Sequence, residues 1–289
     1  MNRILDVKDV SKHFKKFTLN HVSLQLKENC ITGFLGKNGA GKTTLIKIIL
    51  GLLKKDSGEV IFFSNRYGDI ETVKNKIGVV LDNGYFYENL NLKQMKNVIA
   101  STYRQWDEHT YQKYLKKFQL SENQLISSLS KGMKMKYALT LALSHGADLL
   151  IMDEPTSGLD PEIRKELIDI LGEYVQKEGK SVFFSTHITS DLERCADEIV
   201  IINNGEIMEQ MSKDEMIESY RMIKGTLDDL KKIPKKSIKI LDQTKYGFIG
   251  ITSYYEEIKR HAPKVLLEKA TLEDIFLAKT GGVGNEDYI

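Results

Sequence analysis

Residues 36–43 read Gly36-Lys37-Asn38-Gly39-Ala40-Gly41-Lys42-Thr43, with the apolar run Ile31–Leu35 before them and a helical pattern over 44–50 after them. The octet satisfies G-x-x-x-x-G-K-[ST] in full, and it lies between a strand and a helix, where its chemistry needs it. Gly36, Gly39 and Gly41 let successive backbone N–H groups converge on one point, and the helix that follows adds the positive end of its dipole. A nucleotide's phosphates would be cradled by the backbone of Lys37, Asn38, Ala40 and Thr44. Lys42 would neutralise the β- and γ-oxygens, and the Thr43 hydroxyl would ligate Mg²⁺. Composition alone yields such an octet in on the order of one chain in a hundred.

The rest of the chain supplies the sheet that such a loop requires. Short β-branched or aliphatic runs at 30–35, 77–81, 149–152, 181–185 and 198–202 alternate with helical patterns, which reads as α/β. The run 149–152 is apolar throughout, as a parallel strand covered on both faces is. Asp153 and Glu154 follow it directly, so both carboxylates emerge at the carboxyl edge where open α/β sheets bind ligands. Asp153 suits Mg²⁺ held through its water shell. Glu154 suits a general base that polarises the attacking water. An apolar run ending in Asp-Glu often marks no more than a strand end; beside the glycine loop it completes a hydrolytic pair.

Apolar residues between Pro161 and Gly179 fall on one helical face, with Pro161 in the first turn and Gly179 expected at the C-terminal cap. Asn204-Gly205 predicts a tight hairpin. The stretch 89–129 repeats Leu, Met, Ile and Tyr at helical spacing with no strand between, which predicts an all-helical insertion. After Lys213 the texture changes. Short strands at 239–241 and Gly247–Thr252 and a helix at Leu272–Lys279 suggest a small α+β domain over 216–289, appended to a main domain over 1–215.

A net charge of +2 over 289 residues, without a basic stripe, speaks against nucleic-acid binding. No apolar stretch approaches the ~20 residues that span a bilayer, and residues 1–4 lack a signal-peptide core. The two cysteines, Cys30 and Cys195, form no metal-binding pair and read as reduced thiols of a cytosolic protein. A membrane role would therefore pass through a partner.

From about residue 4 to 215 the order of these motifs resembles the ABC ATPase family. The resemblance implies an ABC ATPase domain of α/β class with a mostly parallel central sheet, an antiparallel β edge and a helical insertion over about 86–135. Ser157-Gly158-Leu159-Asp160 is similar to the family's D-loop, which crosses a dimer interface, so Asp160 is expected near nucleotide. His187 matches the switch histidine at the γ-phosphate, and Phe14 the aromatic that stacks on adenine. Leu129-Ser130-Lys131-Gly132-Met133 stands where relatives have Leu-Ser-Gly-Gly-Gln. Ser130 and Gly132 are kept and would face the γ-phosphate held by a second subunit, while Lys131 and Met133 depart from the pattern. Asp82 replaces the Gln that ligates Mg²⁺, so a carboxylate is expected to take that role.

The segments 80–87, 130–136 and 272–277 resemble ATPase subunits of Gram-positive peptide exporters, of the lantibiotic and phenol-soluble-modulin type. The implied cofactors are ATP and Mg²⁺. The implied partners are a second ATPase subunit, identical or not, and an integral membrane permease that would hold this chain at the cytoplasmic face of the membrane. Two rivals stay open at this level: a soluble ABC ATPase with no transport role, and a module that binds ATP for regulation with little turnover. A GTPase is excluded, since no Asn-Lys-x-Asp element accompanies the glycine loop.

Overall fold

The computed structural model describes residues 3–65, 69–81 and 86–281; Asp82 lies outside them. The chain begins with β1 (Arg3–His13), β2 (Thr18–Lys27), β3 (Ile31–Leu35), α1 (Lys42–Ile49) and β4 (Ser57–Phe62). β1 pairs antiparallel with β2 on one side and β4 on the other, so the expected antiparallel element is a three-stranded sheet of its own. After α2 (Ile70–Asn75) and β5 (Ile77–Val80) comes the helical insertion: α3 (Leu92–Ala100), α4 (Glu108–Lys117) and α5 (Lys131–Leu143). Each of these three helices starts on a side-chain cap, from Asn91, Asp107 and Ser130 respectively. Leu92, Met95, Tyr111 and Leu115 are buried between them, and the Tyr137 hydroxyl donates to the Leu92 carbonyl at 2.7 Å, tying α5 to α3.

The chain then runs β6 (Leu149–Asp153), α6 (Pro161–Val175), β7 (Ser181–Thr186), α7 (Thr189–Cys195), β8 (Glu198–Asn203), β9 (Glu206–Ser212) and α8 (Lys213–Ser219). The central sheet has the order β5-β6-β7-β3-β8-β9, parallel except for β9. Every residue of β3, β6 and β7 is buried, as continuous apolar runs predict for strands covered on both faces. The β8–β9 turn falls at Asn204 and Gly205, both at positive φ, as a type I′ hairpin requires. One expectation fails. α6 ends at Val175 with Gln176 still right-handed as its cap. Gly179 instead turns the chain into β7, its N–H donating to Asn29 Oδ1 at 2.6 Å.

The C-terminal part comprises β10 (Arg221–Gly225), α9 (Leu227–Leu230), β11 (Lys239–Thr244), β12 (Gly247–Thr252), α10 (Tyr255–His261), β13 (Leu266–Lys269) and α11 (Leu272–Lys279). Its strands form a separate antiparallel sheet, β11-β12-β10-β13, over a small core of Ile223, Ile233, Phe248, Ile258 and Val265. β10 and β13 escaped the sequence reading because each is short and interleaved with charge, so only pairing reveals them. α11 bridges this unit to the rest of the chain, sharing an apolar cluster with Ile251 of β12. Leu272, Ile275 and Phe276 join the same apolar cluster as Leu192 of α7 and Met216 of α8. Burying those three side chains is worth on the order of 5 kcal/mol, so α11 is fastened to the main domain. Among the described residues no helix is long and apolar enough to cross a membrane.

His145, at the end of α5, is almost wholly buried and stacks face to face on Tyr103, with ring centroids 3.8 Å apart. Burial pushes its pKa down to about 4, and Lys180 and Lys76 push the same way. The ordinary value is near 6.5 in the unfolded chain, so between about pH 6.5 and 4 the unfolded state binds a proton that the native state refuses. Stability therefore falls as pH is lowered through this window, by about 2 kcal/mol from this group at pH 5 relative to pH 7. His145→Phe should keep the stack on Tyr103 and flatten that part of the pH dependence. Urea denaturation at the two pH values reads the difference, and an unchanged slope in the variant would show that His145 is not its source.

Candidate nucleotide-binding and hydrolytic site

The loop predicted to cradle phosphate bridges β3 and α1. The Gly36 N–H donates to the Thr186 carbonyl at the end of β7, and the Gly205 N–H of the β8–β9 turn donates to the Ala40 carbonyl at 3.0 Å. The loop is thus pinned from two neighbouring strands. Gly41 has φ +112, and a Cβ there would lie 2.8 Å from the Phe17 ring, so only glycine fits. Lys37, Asn38 and Gly39 are exposed at the rim, whereas Ala40, Gly41 and Lys42 are buried and Thr44 is half-buried in the first turn of α1.

The Lys42 ammonium donates to the carbonyls of Gly36 at 2.6 Å and Lys37 at 3.2 Å, and stands 3.0 Å from Glu154 Oε1. The Thr43 hydroxyl donates to Asp153 Oδ2 at 2.7 Å. The other oxygen of Asp153 accepts from the Ser185 hydroxyl at 2.5 Å. Glu154 Oε2 lies 2.9 Å from His187 Nδ1. One ammonium, one hydroxyl, two carboxylates and one imidazole therefore meet at the carboxyl edge of the sheet. That set can grip phosphate and polarise a water molecule.

Glu154 sits at φ +50, a left-handed backbone that costs roughly 1–2 kcal/mol for a residue with a side chain. Its N–H donates to both the carbonyl and the hydroxyl of Ser185, at 3.1 and 3.0 Å. These bonds hold the strained turn and aim the carboxylate at Lys42 and His187. Ser185 was not singled out from the sequence. The signal is its register opposite Asp153, visible only once β6 and β7 are known to be neighbours.

The remaining expected residues make their contacts elsewhere. Phe14 is 45% exposed, in a tight turn where its N–H donates to the Phe17 carbonyl; the Phe14 and Phe17 rings are 6.3 Å apart. Phe17, missed in the sequence, is the aromatic that touches the glycine loop. Ser130 is exposed, and its hydroxyl accepts the Met133 N–H as the cap of α5. Gly132 is buried against α6, where a Cβ would come within 2.9 Å of Ile163 Cδ1. Asp160 caps α6 by accepting the Ile163 N–H at 3.0 Å. Lys131 lies along Gly158, its ammonium 3.4 Å from where a Cβ there would be, and Met133 packs onto the main core.

Ser185→Ala should cost about 1–3 kcal/mol, because it leaves one oxygen of the buried Asp153 carboxylate without its donor. Equilibrium urea denaturation measures the loss. A variant as stable as the parent chain would mean that Asp153 finds another donor.

A family model described as "ABC transporter" matches residues 19–157. The chain is 29% identical over 302 residues to the bacitracin transport ATP-binding protein BcrA of Bacillus licheniformis, spanning 98% of this chain and 99% of that one. It is 33% identical over 214 residues to the lantibiotic transport ATP-binding protein SrtF of Streptococcus pyogenes, spanning 73% of this chain and 92% of that one. A solved structure of an ATP-binding subunit of an ABC transporter aligns with a TM-score of 0.67 at 29% identity, over 74% of this chain and 92% of that one. With the glycine loop, the Asp-Glu pair and the histidine gathered at one sheet edge, the chain belongs to the ABC transporter family, as an ATP-binding and ATP-hydrolysing subunit.

Proposed function

We propose that this chain powers the export of peptides, or of other amphipathic compounds, by a separate integral membrane permease, and that it works at the cytoplasmic face of the membrane. The observation that carries this reading is the end-to-end similarity to a bacitracin transport subunit, which extends through the C-terminal unit as well as the ATPase core. The division into a main domain over 1–215 and an accessory unit over 216–289 belongs to the same proposal. Support for it comes from the separate four-stranded sheet and its own small core.

ATP is the substrate. Lys42 leaves the carbonyls of its own loop to take the β/γ-phosphates. Phe14, exposed beside Phe17, offers a π-face to adenine. Thr43 and Asp153 fit Mg²⁺, since a hydroxyl and a carboxylate already 2.7 Å apart are hard oxygen donors of the kind that ion takes. Bound there, Mg²⁺ would neutralise phosphate charge. Glu154 accepts a proton from water as the water oxygen bonds to the γ-phosphorus and the bond to the β-phosphate oxygen breaks. His187 orients that carboxylate. Asp82 completes the proposed metal set. Ser130, Gly132 and Asp160 serve the nucleotide of a second ATPase subunit. The exposed apolar side chains Tyr87, Val98 and Leu125 of the helical insertion suit docking to the permease.

Glu154→Gln should bind ATP with parent-like affinity and lose roughly 100- to 10,000-fold in turnover. Fluorescent-nucleotide titration and phosphate release separate the two, and parent-like turnover would remove Glu154 from the base role. The transporter reading is tested by affinity purification from detergent-solubilised native membranes. A stoichiometric polytopic membrane protein that stimulates ATP hydrolysis is expected. Recovery only from the soluble fraction, at every salt and nucleotide condition, would overturn export and favour a non-transport ATPase.

A further inference from the structure

We infer that Lys37 is a positioning residue through which the C-terminal helix α11 controls the phosphate loop. The octet motif leaves position 37 open, so phosphate binding does not by itself call for a lysine there. In this chain the Lys37 ammonium crosses 243 residues of sequence to donate to the carbonyl of Thr280, at 3.1 Å. Thr280 is buried at the end of α11, where helix carbonyls lack partners within the helix and attract cations. Its own hydroxyl is turned back onto the Phe276 carbonyl at 2.8 Å, which fixes this end of the helix.

α11 is anchored at both of its ends. The Leu272 N–H donates to Glu193 of α7, the helix that opens two residues after His187. Lys279 pairs with Glu209 of β9, which also accepts from the Tyr220 hydroxyl. The contact continues inward from Lys37, whose carbonyl accepts from Lys42, whose ammonium in turn meets Glu154. A line of direct contacts therefore runs from the end of α11 to the Glu154–His187 pair.

The consequence rests on the proposed reading of Lys42 as the phosphate ligand. Lys42 must then abandon the Lys37 carbonyl to meet nucleotide, and Lys37 holds that loop form against Thr280. Docked α11 and bound nucleotide oppose one another. By linkage, whatever nucleotide does to α11, loosening α11 does to nucleotide affinity.

The test is hydrogen exchange of residues 272–280 in the full chain, with and without the β,γ-imido analogue of ATP and Mg²⁺. Exchange should quicken several-fold on binding in the parent chain and in Lys37→Arg. In Lys37→Met it should be fast already and no longer respond. Lys279→Met, which loosens α11 away from the site, should lower the analogue's dissociation constant by roughly two- to tenfold, the reciprocal effect. Unchanged exchange in a parent chain that demonstrably binds the analogue overturns the proposal, as does a response that survives in Lys37→Met or an unaltered affinity in Lys279→Met. Lys42→Ala keeps the two readings apart: analogue binding at parent affinity in that variant sinks the phosphate-site reading itself, whereas loss of binding there, together with an α11 that does not respond in the analogue-bound parent chain, sinks only the coupling.

Discussion

The site depends on the in-register parallel pairing of β3, β7 and β6. Leu35 lies opposite Thr186, and Asp153 opposite Ser185, so three strands end at one level. From those ends the chain departs into the glycine loop, the Glu154 turn and the His187 turn. A slip of one residue in any of them would turn its side chains to the opposite face, because the strand period is two. Burial on both faces makes such a slip expensive, and this is what fixes Lys42, Asp153, Glu154 and His187 within hydrogen-bond distance of their partners.

Ser185 makes that alignment chemical. Its hydroxyl donates to Asp153 and accepts from the Glu154 N–H, so one buried side chain orients the Asp153 carboxylate and holds the Glu154 backbone. That backbone conformation is one a free chain would avoid. Lys42 sits among oxygens on every side: two loop carbonyls and Glu154. A buried ammonium needs such partners, and phosphate oxygens are the replacement that the proposed function supplies.

The C-terminal unit is joined to this machinery through α11, and its sheet adds Ile251, Met222 and Leu241 to the same apolar cluster. The sheet has its own small core, while Leu272, Ile275 and Phe276 extend the core of the main domain. A boundary drawn at 215 from composition separates two sheets, but the last helix packs across the line. Chain order and packing order differ here, because a helix with an apolar face buries it where apolar surface is available.

The octet at 36–43, the apolar run before Asp153-Glu154, the turn at Asn204-Gly205 and the helical spacing over 89–129 were all legible, since each follows from local backbone and side-chain rules. So were the limits of β12 and α11, which match the structure residue for residue. The grouping of Lys42, Thr43, Asp153, Glu154 and His187 was expected from motif order, and the structure brings those five together. What no local rule contains is the partner of each group. Ser185 opposite Asp153, Phe17 against Gly41, Ile163 against Gly132 and Thr280 on Lys37 all join positions far apart in the chain. The sequence by itself determined the glycine loop, the core strands and helices around it and the chemistry they carry, because propensity, periodicity and turn geometry act over a few residues. Only the tertiary structure decided which of them touch, because strand order and helix docking depend on burying the whole apolar surface at once.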